Sequence, residues 1–301
     1  MSSRVRSILR RRPSAFQLLA SGNYRNYWIN RGFSDLGLGF WFLGAAWLTL
    51  DLTDSQAWVG LVGGIAAIPA IAVSLFGGAL SDRSDRRTII TRTQLALMLI
   101  AASIAALVLV DGIEPWHLVV GALAIGLADG LGAPAYGAFV VDLVGRDRVF
   151  AANSMAQFAN FSGEIVGPLI VGALIATIGI GSVFVTALAS SAIALLFILR
   201  VAARPALPAV AADRTGVFAD IQAGVIYTWR TPGLTPLIAI AASGLFSAAV
   251  LPLIPVYARD VLGVGGSGFG VLMAALGGGF IAGSLLGAIS GGVSHRGLVL
   301  L

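Results

Sequence analysis

Long apolar runs separated by short polar turns fill most of this 301-residue chain. A helix needs about 20 apolar residues to cross the hydrocarbon of a bilayer. Eight runs qualify: 27–50, 57–80, 90–110, 116–141, 151–178, 180–201, 235–257 and 267–290. A different pattern intervenes after the sixth. Ala203 to Ala212 is rich in Ala and Pro and reads as a linker. Val217, Phe218, Ile221, Val225, Ile226 and Trp229 then recur at near-helical spacing, which predicts an amphipathic helix lying along the membrane interface. Pro232-Gly233 ends it. The pattern divides the chain into a basic N-terminus (1–26), six spans (27–201), a linker with its interfacial helix (202–234) and the start of a second set of spans (235–301). Gly297 to Leu301 reads as the opening of a ninth span.

Composition supports the membrane reading: 57% of residues are hydrophobic, 11% are charged, and the mean hydropathy is +0.92. All 19 basic residues are arginine, so neither a lysine phosphate loop nor a lysine Schiff base is available, and no ATP site is expected. Cysteine is absent, which excludes disulfides and thiolate metal sites. His117 and His295 fall on opposite sides of the predicted membrane, so no metal is expected either.

The arginines also set topology. They precede span 1, follow spans 2, 4 and 8, and lie between spans 6 and 7, all on one side if every run crosses. Arg259 alone falls on the other, with Asp51, Asp54, Asp111, Glu114 and Asp260. Positive charge favours the cytoplasmic side, so the N-terminus is expected there. Arginines used in this way give no reason to expect nucleic-acid binding.

The most distinctive turn is Gly78-Ala79-Leu80-Ser81-Asp82-Arg83-Ser84-Asp85-Arg86-Arg87, with five charges between two apolar runs. It resembles the loop between the second and third helices of the major facilitator superfamily of secondary transporters. Gly78, Leu80, Asp82, Arg83, Arg86 and Arg87 carry the match, while Asp85 stands where that family has glycine. Gly287-Ala288-Ile289-Ser290 to Arg296 echoes the same turn 209 residues later, consistent with repeated halves.

Other segments are similar to the drug and siderophore exporters of that superfamily: Tyr24 to Trp28, Ser34 to Gly37, Phe218 to Pro232, and Leu253 to Leu272. Span 5 resembles an antiporter signature through Gly163, Gly167, Pro168 and Gly172. Proline frees a backbone carbonyl and glycine lets another helix approach, so this stretch is either a transport-related kink or a packing kink.

The resemblance implies an all-α bundle with twelve spans in a complete protein. This chain would supply the first six and part of the second set, as a fragment or a truncated product. It also implies that Asp142 joins Asp82 and Arg86 at the cytoplasmic end, forming with the rest of the turn a latch that changes with conformation.

Charges inside spans are costly and point to function. Arg31 and Asp35, four apart on span 1, share a face. They are either part of a proton-exchanging cavity or an internal pair holding helices together. Asp129 in span 4 and Glu164 in span 5 have no cation nearby in sequence, which favours proton coupling. The expected function is secondary active export of a hydrophobic or amphipathic small molecule (drug, macrolide or siderophore) by proton antiport. The expected protein is a monomer in the inner (plasma) membrane, with no cofactor. An importer, or a truncated non-transporting scaffold, is the alternative. No metalloprotease or nucleophile-elbow motif suggests an enzyme.

Overall fold

In a computed structural model, residues 15–202, 253–265, 268–273, 275–276 and 278–279 are described, and helix is the only regular structure among them. Six long helices follow one another: α1 Gly22–Thr53, α2 Gln56–Arg83, α3 Arg86–Leu109, α4 Pro115–Val144, α5 Val149–Thr177 and α6 Ile180–Leu199. All but α5 meet the length and apolarity of a membrane span over their described residues; α5 is 29 residues long. They coincide with the first six predicted runs to within a few residues. The predicted interfacial helix and most of runs seven and eight lie outside the described residues. Described from that region are Ile254–Val256, a π-helical turn over Tyr257–Val261, and helical residues at 268–273.

Local chemistry sets the helix ends. Asp85 caps α3, its carboxylate accepting from the Arg87 and Thr88 amides (3.3 and 3.1 Å) and the Thr88 hydroxyl (2.7 Å). That explains an aspartate where the resembling loop has glycine: the backbone there is extended, with φ −63°, so glycine's freedom is not needed. At α4, Pro115 occupies the first turn, and the Glu114 amide donates to Nδ1 of His117 (2.9 Å). One span is interrupted: α2 consists of Gln56–Ile65 and Ala67–Arg83 with a break at Ala66. Pro69 lacks the N–H that would bond the Ile65 carbonyl, and its ring crowds that carbonyl.

Glycine seams bring helices together. A Cβ at Gly126 of α4 would overlap the Ala66 carbonyl oxygen; one at Gly130 would lie 2.6 Å from that of Ala70. No side chain larger than hydrogen fits, so α2 and α4 pack backbone to backbone. Gly37 and Gly44 play the same part between α1 and α6, facing Ser191 and Val183. The outer face of α2, with Ile68, Ile71 and Leu75, is exposed and apolar, which suits contact with lipid.

Two apolar layers result. One contains Trp41, Leu97, Ile104, Leu118, Ile125, Val183 and Phe184. The other, toward the arginine-rich side, contains Tyr24, Tyr27, Ile90, Tyr136, Phe139 and Ile198.

Candidate functional site

Between the two apolar layers the bundle is polar. Asn30, Ser34, Gln94, Ser190 and Ser191 are all buried there, with Asn30 0% and Gln94 1% exposed. They come from α1, α3 and α6, at positions between those that each helix contributes to the two apolar layers. Polar groups removed from water need partners. Asn30 Nδ2 donates to the Ala194 carbonyl (2.8 Å) and Gln94 Nε2 to the Ser191 carbonyl (3.3 Å).

Arg31 and Asp35 lie in this layer, paired as their spacing on α1 predicts. Arg31 Nε meets Asp35 Oδ2 at 3.1 Å and Nη2 meets Oδ1 at 3.0 Å, a two-pronged contact. The guanidinium carbon sits 4.8 Å from the centre of the Tyr136 ring on α4. Asn160 of α5 lies beside Asp35, and Asp129 of α4 lies within electrostatic reach of both Arg31 and Asp35. Sequence spacing gave Asp129 no nearby cation; the fold supplies Arg31 from another helix. Two carboxylates and one guanidinium thus converge from α1 and α4. Glu164 is a helical position of α5, four residues beyond Asn160.

The polar turn forms a second cluster at the arginine-rich end. Arg86 Nη1 bonds both carboxylate oxygens of Asp142, at 2.7 and 2.6 Å. Asp82 is only loosely attached, 3.9 Å from Arg86 and with a side chain 78% exposed. Arg87 donates to the Leu199 carbonyl at 2.8 Å and the Ile198 carbonyl at 3.5 Å, capping the end of α6. Arg83 is exposed. Gly78 has open space where a Cβ would go; the neighbouring Gly77 meets the Gly130 carbonyl oxygen at 2.8 Å.

The Gly-Pro segment of α5 faces two ways. Gly163 and Gly167 lie against Leu36, and Gly167 also against Phe40. Pro168 and Gly172 border Gly270, beyond the linker, at 3.1 and 3.2 Å from the position of its Cβ. Pro168 lies inside the continuous helix.

The opposite end of α1 is contacted by Arg259. Its Nη1 donates to the Leu50 carbonyl (3.1 Å), and its guanidinium pairs with Asp54. Ala46, Leu50, Val59 and Val256 form an apolar patch beside it.

Sequence reasoning missed the uncharged members of the layer, Asn30, Ser34, Gln94 and Asn160, and the Tyr136 ring that borders it. An amide or a phenol inside an apolar run was the available signal. The five-residue segment Tyr24 to Trp28, recognised as a motif, ties helices together. Tyr24 bonds the Ala152 carbonyl (3.0 Å), Trp28 that of Met155 (2.9 Å) and Asn26 that of Arg200 (3.3 Å).

Residues 13–291 match the family model described as transmembrane secretion effector. Among curated proteins, the chain is 30% identical over 237 residues to the multidrug efflux pump Tap of Mycolicibacterium fortuitum, covering 74% of this chain and 57% of Tap. It is 27% identical over 271 residues to the enterobactin exporter EntS of Shigella boydii serotype 4, covering 87% of this chain and 58% of EntS. The chain therefore spans a little over half the length of these relatives. A crystal structure of an auto-inhibited POT family peptide transporter superposes with a TM-score of 0.48 at 17% identity, over 78% of this chain and 51% of its own.

Proposed function

Since the chain belongs to the transmembrane secretion effector family of the major facilitator superfamily, a family of multi-pass membrane proteins, we propose that it carries the first bundle of a proton-coupled exporter of drug- or siderophore-class small molecules. The observation that carries this reading is the polar layer. Asp35 pairs directly with the Arg31 guanidinium, and Asp129 lies within electrostatic reach of both, inside a bundle that is apolar above and below. One positive charge cannot neutralise two carboxylates, so the site favours taking up either a proton or a cationic group. Competition between the two is antiport. Efflux is favoured over uptake because Tap is a multidrug efflux pump and EntS an enterobactin exporter.

Alternating access fits the two ends. The Arg259 contacts tie the end of α1 to residues beyond the linker, and in this reading they are what would hold that side shut. The Arg86–Asp142 pair lies within the first bundle at the other side, where a change of partner would accompany opening. In this reading the arginine-rich end is cytoplasmic, the bundle boundary falls in 202–234, and the protein works as a monomer in the inner membrane.

The test is ethidium transport driven by a pH gradient in proteoliposomes. Asp35→Asn and Asp129→Asn keep side-chain size and remove titration. Each is expected to lower gradient-driven transport by at least about tenfold, a difference of about 1.4 kcal/mol in the coupling step, while ethidium exchange without a gradient persists. Full gradient dependence in both variants would exclude coupling through these carboxylates.

A further inference from the structure

Exchange at Asp35 requires that Arg31 stay where it is, and Arg31 is held from two sides. One is Asp35 itself. The other is the Tyr136 ring, 4.8 Å below the guanidinium. Tyr136 is fixed in turn: its carbonyl accepts from the Tyr27 hydroxyl (3.2 Å), and its own hydroxyl donates to Gln94 Oε1 (3.5 Å). Gln94 is anchored through Nε2 to the Ser191 carbonyl (3.3 Å). A continuous line therefore runs from α6 through Gln94 on α3 and Tyr136 on α4 to Arg31 and Asp35 on α1.

The amide at position 94 is specific to this task. It donates at one end and accepts at the other, and at 1% exposure water cannot replace either bond. A hydrophobic side chain would pack the seam as well, so packing alone does not account for a glutamine there.

We infer that Gln94 and Tyr136 are positioning residues that keep the Arg31 guanidinium seated and so govern how firmly Asp35 is held as an anion. The inference rests on the proton-exchange reading of Asp35. The charged and titratable groups facing the pair are Tyr27 on α1 and Asp129 and Tyr136 on α4, with neutral Asn160 from α5. None of them replaces the Tyr136 face, because a cation–π contact needs an aromatic ring under the guanidinium.

The test uses infrared spectroscopy on the full chain in lipid nanodiscs. The protonated-carboxyl band that disappears in Asp35→Asn reports Asp35. Gln94→Met, which keeps volume without hydrogen bonds, and Tyr136→Phe, which removes one oxygen, are each expected to move the midpoint of that band by at least about half a pH unit. The double variant is expected to move it no further than the larger single change, because both act along one line. A band that titrates yet ignores both substitutions overturns the inference and leaves proton exchange standing. Independent, additive shifts also overturn it. A band that does not titrate at all overturns proton exchange at Asp35 and this inference together. If Gln94→Met fails to fold, Tyr136→Phe decides alone.

Discussion

At the scale of single residues, the polar turn between α2 and α3 shows how neighbours in a motif do different work. Gly77 touches the α4 backbone, while Gly78 faces open space. Gly77→Ala is therefore expected to cost about 1–3 kcal/mol through overpacking. Gly78→Ala in the same helix should be neutral, or stabilising by up to about 1 kcal/mol, through helix propensity. Thermal unfolding of the two variants in detergent checks this, and the reverse order would contradict the seam. Asp85 is a cap, so Asp85→Ala should lower stability by about 1 kcal/mol and Asp85→Gly by only a few tenths. An Asp85→Ala variant as stable as the parent in the same measurement would mean the carboxylate does not cap.

At the scale of elements, charge pairing across helices outranks pairing within one. Asp82 and Arg86 have i,i+4 spacing, yet Arg86 spends its short bonds on Asp142 of α4. A short, charge-assisted contact, here one guanidinium nitrogen on both carboxylate oxygens, holds two helices in a fixed relation, whereas an exposed pair contributes little. If the cluster is a switch, Asp142→Asn should shift its balance by about tenfold, since a net change near 1.4 kcal/mol suffices. Asp82→Asn should do much less. Ethidium transport normalised to the amount of folded protein distinguishes them, and a larger defect from Asp82→Asn would place the switch on the exposed carboxylate instead.

At the scale of the whole molecule, the bundle is a polar layer between apolar ones, tied at the end of α1. That tie joins residues about 200 positions apart: Arg259 to Leu50 and Asp54. The chain has no cysteine of its own. Asp54→Cys with Arg259→Cys should thus be bridged by a short bis-methanethiosulfonate reagent, whose length replaces the reach of the arginine side chain, and reduction should restore ethidium transport that the crosslink blocks. Undiminished transport by the crosslinked protein would show that this end need not open.

The chain's own pattern was enough to define six helices, their order and the membrane environment. Hydropathy acts locally, and a run of apolar residues has no stable alternative to helix in hydrocarbon. Local spacing also established the Arg31–Asp35 pair, because i,i+4 neighbours on a helix must meet. The convergence of Asp129, Tyr136, Gln94 and Asn160 on that pair was not legible. It depends on which faces of α1, α3, α4 and α5 turn inward, and glycine seams such as Gly126 on Ala66 decide that through contacts distant in sequence. The same holds for Arg86, whose partner was named by resemblance to a family but whose preference for Asp142 over Asp82 is a matter of distance. Composition places charges in a membrane; only packing determines which of them share one low-dielectric space, because that depends on which helix faces meet.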